Sequence, residues 1–71
     1  MRKFDRGVNA RLVFTNEPNI AYYCEDDESV YEKLEPIVGH EVAEGASSWA
    51  EMTYVGDYYE HDEFIIEMME V

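Results

Sequence analysis

Val8-Asn-Ala-Arg-Leu-Val-Phe14 and, shortly after it, Ile20-Ala-Tyr-Tyr-Cys24 decide how this chain folds. Alternation in the first stretch puts Val8, Ala10, Leu12 and Phe14 on one side of a β-strand. In the second, Ile20, Tyr22 and Cys24 share a face, in residues that favour strands. Between them, Thr15-Asn-Glu-Pro-Asn19 is a turn, because Asn and Pro are turn formers and Pro18 cannot donate to a ladder. The spacing predicts a β-hairpin with a loop of about five residues.

Downstream the period changes. Glu25-Asp-Asp-Glu28 leads into a helix, Ser29 with Glu32 fits a capping box, and the preceding acids suit the positive end of the helix dipole. Val30, Tyr31 and Leu34 form a short apolar stripe, Pro36 is expected to end or kink the helix, and Gly39 supplies a stop. A second helix is expected from about Glu41 to Met52, burying Val42, Ala46, Trp49, Ala50 and Thr53. Gly45 inside it costs about 1 kcal/mol relative to Ala, which suggests close packing at that point.

Tyr58-Tyr59 then precedes a polar break at Glu60-His61-Asp62-Glu63, and Phe64-Ile-Ile-Glu-Met-Met-Glu-Val71 closes the chain. Period-2 spacing sets Phe64, Ile66 and Met68 against Ile65, Glu67 and Met69. A strand is the preferred reading of 64–71; Glu and Met, good helix formers, leave a helix as the alternative. The expected order is ββααββ: one small α+β domain over residues 1–71, an antiparallel sheet with two helices packed on one face. No internal repeat, linker or low-complexity segment interrupts it.

A chain of 71 residues buries only about 60% of its unfolded surface, so the core is thin. Hydrophobic residues nevertheless reach 46%, too many for a disordered acidic tail. Charge is the strongest compositional feature: 17 acids face five Lys and Arg, for a net −12. It is unevenly spread. Arg2, Lys3, Arg6 and Arg11 against Asp5 leave residues 1–14 at +3, while Lys33 against sixteen acids leaves 15–71 at −15. Such a field repels nucleic acid and attracts basic protein surfaces. Cys24 is the only cysteine, so no intrachain disulfide can form. With no apolar core of signal-peptide length, and no apolar run near the roughly 18 residues of a membrane span, the expected setting is the reducing cytoplasm.

Two constellations stand out as partner-binding candidates. The first is Tyr22 and Tyr23 with Glu25, Asp26, Asp27 and Glu28, a dense carboxylate edge beside aromatic rings. Helix capping explains one or two of these acids, not four in a row. The second is Asp57, Tyr58, Tyr59, Glu60, Asp62 and Glu63, where tyrosines supply rigid amphipathic area and carboxylates pair with Arg. Carboxylates about 6 Å apart along a strand or helix fall on the few-ångström scale of nucleic-acid phosphates. For metals, His40, His61, Asp57, Asp62 and Cys24 lack His-x-x-x-His, a Cys pair or calcium-loop spacing, so no dedicated metal site is expected. Nothing resembles a phosphate loop, a nucleophile elbow or a catalytic Cys-His pair, so neither enzyme activity nor a cofactor is expected.

Ala46-Ser-Ser-Trp-Ala-Glu51, followed by Gly56-Asp-Tyr-Tyr-Glu-His-Asp-Glu-Phe-Ile-Ile-Glu67, resembles short proteins of phages and mobile elements. In size, acidity and tyrosine content the whole chain is similar to their small inhibitors, among them anti-CRISPR and anti-restriction proteins of the DNA-mimic type. That resemblance implies inhibition of a CRISPR effector nuclease or restriction enzyme in the host cytoplasm. Acidic side chains would fill the partner's basic nucleic-acid-binding surface, with no direct contact to nucleic acid or membrane. The basic N-terminus departs from a uniformly acidic mimic. The alternative is a small accessory or regulatory domain that acts by homo-oligomerisation, for instance as a homodimer.

Overall fold

Alternation along Val8–Phe14 becomes strand β1, whose Ala10, Leu12 and Phe14 are all buried. This is seen in a computed structural model that describes residues 7–70; the basic residues Arg2, Lys3 and Arg6, and Val71, lie outside the described residues. The elements that follow are β2 (Tyr22–Cys24), α1 (Asp27–Val38), α2 (His40–Glu51), β3 (Tyr58–Glu60) and β4 (Phe64–Glu70). The fold is α+β with the expected ββααββ order. Its sheet runs β2-β1-β4-β3, with every pair antiparallel.

The two seven-residue strands pair along their whole length, from Val8 opposite Glu70 to Phe14 opposite Phe64. That register brings Ala10, Leu12 and Phe14 onto the same face as Phe64, Ile66 and Met68. Both helices cover this face. The inward line of α2 is small (Ala43, Ala46, Ser47, Ala50), so large sheet side chains fill the space beneath, together with Val30 and Leu34 of α1. Truncating one such residue, Phe64 for example, costs about 3–5 kcal/mol. A domain of this size has only about 4–10 kcal/mol to lose.

Five local expectations are corrected. The loop between β1 and β2 spans residues 15–21, and Ile20 is outside the strand and 45% exposed. Two successive turns, with amides of Glu17 and Ile20 donating to the carbonyls of Phe14 and Glu17, use up the residues that would have lengthened β2. The α1 cap is Asp26, not Ser29: its carboxylate accepts from the Ser29 amide at 2.8 Å. Asp26 wins because β2 ends at Cys24, which leaves an extended backbone two residues later, where a cap requires it.

Pro36 does not end α1, which runs on to Val38. A proline there deprives only the Glu32 carbonyl of its helical partner, and Glu32 is exposed to water. Gly39 makes the stop, with φ +90 and its amide on the Glu35 carbonyl at 3.0 Å. In α2 the buried line is rotated: Ala43 and Ser47 join Ala46 and Ala50, Val42 and Trp49 flank it half-buried, and Thr53 lies beyond the helix. Gly45 is exposed and marks no close packing; a Cβ there would meet only the Tyr59 hydroxyl, at 3.9 Å.

Candidate partner-binding surface

Each Tyr-Tyr pair is split by the pleat, one ring entering the core and the other facing solvent. Tyr22 stands opposite Leu12 on the helix-covered face, edge-on to Phe14 at 5.9 Å, with the Lys33 ammonium 4.7 Å above its ring. Tyr59 stands opposite Ile66, stacked on Phe64 and 5.3 Å from the Trp49 ring. These two tyrosines therefore serve packing first. Tyr23 and Tyr58 point the other way, exposed on the face that no described element covers.

On that open face, register aligns one residue from each strand in a row: Tyr23, Arg11, Glu67 and Tyr58. Arg11 approaches Glu67 at 3.9 Å, and the Tyr58 hydroxyl donates to the other oxygen of Glu67 at 3.3 Å. Arg11 is thus committed to an intramolecular carboxylate. Val13 and Ile65, cross-strand partners, lie beside this row, with Ile65 exposed and Val13 half-buried.

The two predicted clusters occupy opposite edges of the sheet, three strand spacings or about 14 Å apart. In the first, Asp26 caps α1, and Asp27 and Glu28 lie in its first turn, where the dipole favours them. Local structure thus accounts for three of the four acids; Glu25 is exposed. The second cluster is itself divided. Asp57 sits at the end of the sheet where β4 finishes, and its carboxylate accepts from the Thr53 hydroxyl and from the Tyr54 amide at 3.2 Å. Those bonds, the hydroxyl first, hold its pKa below the ordinary 3.8.

Glu60 is exposed on edge strand β3, and Asp62 and Glu63 form the tip of the β3–β4 hairpin at the other end of the sheet. The tip is fastened by its backbone, since the Thr15 hydroxyl and amide donate to the carbonyls of Asp62 and Glu63 at 3.1 and 3.0 Å. His61 stacks on Phe64, and its Nδ1 accepts from the Glu63 amide. Both side chains at the tip are left in solvent.

A third acidic surface was not anticipated. Glu28, Glu32 and Glu35 on α1, and Glu41, Glu44 and Glu51 on α2, are all exposed on the helix layer. Their spacing of three, four or seven residues is the readable signal, but it becomes one surface only when α1 and α2 pack side by side. Among the described residues the opposing cations are Arg11, committed to the sheet face, and Lys33, drawn over Tyr22. His40 bridges the helices, its Nδ1 hydrogen-bonded with the Tyr31 hydroxyl at 2.7 Å and its Nε2 3.2 Å from Glu44.

Among the described residues no group of three or more His, Cys, Asp or Glu is arranged to hold a metal ion, and no helix is long and apolar enough to cross a membrane. Comparison with family models, curated proteins and solved structures finds no match for this chain.

Proposed function

We propose that this protein binds a nucleic-acid-binding protein, a defence nuclease of the CRISPR or restriction type, and inhibits it by occupying its basic groove. The proposal is non-catalytic. The observation that carries it is the double row of helix carboxylates. Glu28, Glu32 and Glu35 follow one another at axial steps of about 6 and 4.5 Å, and Glu41, Glu44 and Glu51 form a second row on a helix packed about 8–10 Å away. Two lines of negative charge on this scale resemble the two phosphate lines bordering a groove more than a uniform acidic coat. The glutamates of α1 and α2 cost the fold self-repulsion, and Lys33 is the one described Lys or Arg in that layer.

The test is competition. A purified basic nuclease is titrated with this protein in the presence of labelled duplex DNA, at about 50 and 200 mM salt. The reading predicts that DNA is displaced, and that the inhibition constant weakens steeply with salt. Glu32→Gln with Glu35→Gln and Glu44→Gln should weaken inhibition about tenfold or more without unfolding the chain. Inhibition unaffected by salt and by this triple substitution would overturn mimicry.

A second reading is favoured by the open sheet face, where Tyr23, Tyr58, Ile65 and Val13 are left uncovered by any described element. A homodimer closing these faces together would make the protein an accessory module. Sedimentation over a wide concentration range distinguishes it, because only this reading predicts a dimer disrupted by Ile65→Glu.

A further inference from the structure

Among the described residues, the most exposed large apolar side chains lie neither in the predicted clusters nor on the sheet. Met52 is 78% exposed and Tyr54 81%, with Val55 beside them, all in the loop that joins α2 to β3. Leaving this much apolar surface in water costs about 25 cal/mol for every Å², and none of these residues belongs to the described core.

The loop is also held in shape. The Met52 amide donates to the Trp49 carbonyl at 3.1 Å, the Asp57 carboxylate gathers the Thr53 hydroxyl and the Tyr54 amide, and the Asp57 amide returns to the Tyr54 carbonyl at 3.1 Å. Its base is stitched to β4, with the Gly56 amide on the Met68 carbonyl at 2.8 Å and the Met68 amide on the Asp57 carbonyl at 3.0 Å. An apolar tip on a fixed base has its ordering cost met before any partner arrives.

Its surroundings select the partner. β4 and α2 both finish at this end of the molecule: Glu51 immediately precedes the loop, and Glu70 lies just beyond the Met68 to which the base of the loop is bonded. Glu51 stands in the last turn of α2, where the dipole is already negative and no basic residue is present. A cation brought by a partner would relieve that repulsion. A second copy of this chain would bring more carboxylates, and an anionic bilayer would be repelled likewise.

We infer that Met52, Tyr54 and Val55 form an apolar anchor that inserts into a hydrophobic pocket rimmed by Lys and Arg on a protein partner. This rests on the proposed binding of a basic protein, and adds the contact that would give that binding a hot spot besides charge.

The experiment uses two synthetic peptides of equal positive charge: a 20-residue Leu/Lys amphipathic helix, whose apolar stripe is flanked by lysines, and a flexible Gly/Lys peptide. Affinities of the full chain are measured by fluorescence anisotropy, with phosphatidylcholine vesicles as a third probe. The Leu/Lys peptide is expected to bind at least about tenfold tighter than the Gly/Lys peptide. Met52→Ala with Tyr54→Ala should abolish that advantage and leave Gly/Lys binding unchanged. Circular dichroism of this variant should match the parent, since both side chains are in solvent.

If Gly/Lys binds but Leu/Lys gains nothing, or keeps its gain in the variant, the anchor is wrong and the basic-partner reading stands. If neither peptide binds, both fall. Vesicle binding, or a dimer lost in the double variant, would overturn the anchor in favour of a membrane or a second copy.

Discussion

Tyr54 and Asp57 are tied to each other twice. The Tyr54 amide donates to the Asp57 carboxylate at 3.2 Å, and the Asp57 amide donates back to the Tyr54 carbonyl at 3.1 Å. The carboxylate is the part of this turn that pH can remove. Its pKa is lowered from 3.8 by the Thr53 hydroxyl and then by the Tyr54 amide. A depressed folded pKa means that the contribution is complete above the unfolded value and is lost as pH falls through the folded one. NMR titration should therefore give Asp57 a midpoint below the ordinary 3.8. Exchange of the Tyr54 amide should quicken only below that midpoint. A midpoint at or above 3.8 would show that the bonds are not formed in solution.

At the start of α1, two residues compete on paper for the cap. Because Asp26 holds the Ser29 amide, Asp26→Ala should cost about 1 kcal/mol. Ser29→Ala keeps that amide, so it should stay within about 0.5 kcal/mol of the parent. Urea denaturation of the two variants measures both, and the reverse ranking would return the cap to Ser29.

Gly45 sits in the interior of α2, where an added Cβ would meet the Tyr59 hydroxyl at an ordinary contact distance of 3.9 Å. Gly45→Ala should stabilise the protein by about 0.5–1 kcal/mol through helix propensity, a rise of a few degrees in Tm for a domain this small. Gly39→Ala is the counterpart, destabilising because φ there is +90. Thermal melts that placed both glycines on the same side of the parent would contradict this assignment.

The Cys24 side chain is 2% exposed. Burial pushes its pKa up from 9.0 to about 11, against a smaller opposing pull from Lys33 and with a small addition from Asp26. A raised folded pKa leaves stability unaffected below the unfolded value and erodes it as pH climbs from about 9 to about 11. A thiol reagent at pH 8 should label the native protein only at its opening rate, and label it promptly beyond the urea midpoint. Prompt labelling without denaturant would put the sulfur at the surface.

The net charge of −12 gives a last expectation. Screening shortens the reach of repulsion among the helix carboxylates to about 10 Å at 0.1 M and about 3 Å at 1 M. Tm should therefore rise with sodium chloride over that range. A flat response would mean that the acids are already balanced.

Much of the fold was legible because its signals are local. Alternation in Val8–Phe14 and Phe64–Met68 marks two strands and their buried faces whatever lies opposite, and Gly39 announces a helix stop by its own conformational range. The candidate surface was legible only as composition. Capping explained more of Glu25–Glu28 than expected, and the helix glutamates were passed over because singly spaced charges look like ordinary solvation. Met52-Thr-Tyr-Val55 was missed for another reason: its first residues continued the apparent stripe of α2. A connection without a charged residue, between a helix and Gly56-Asp57, was the available signal.

By itself, then, the sequence determined the order of elements, the faces of the long strands and the sign of the field, since each follows from residue spacing or from counting charges. Only the tertiary structure decided which tyrosine of each pair faces water, because that depends on the register of Tyr23 and Tyr58 with Arg11 and Glu67. It also decided that carboxylates from two helices share one surface, and that Met52 and Tyr54 stand at the tip of a pinned loop. Those relationships join residues distant in the chain, and distance along a chain carries no information about neighbours until strand pairing and helix packing bring them together.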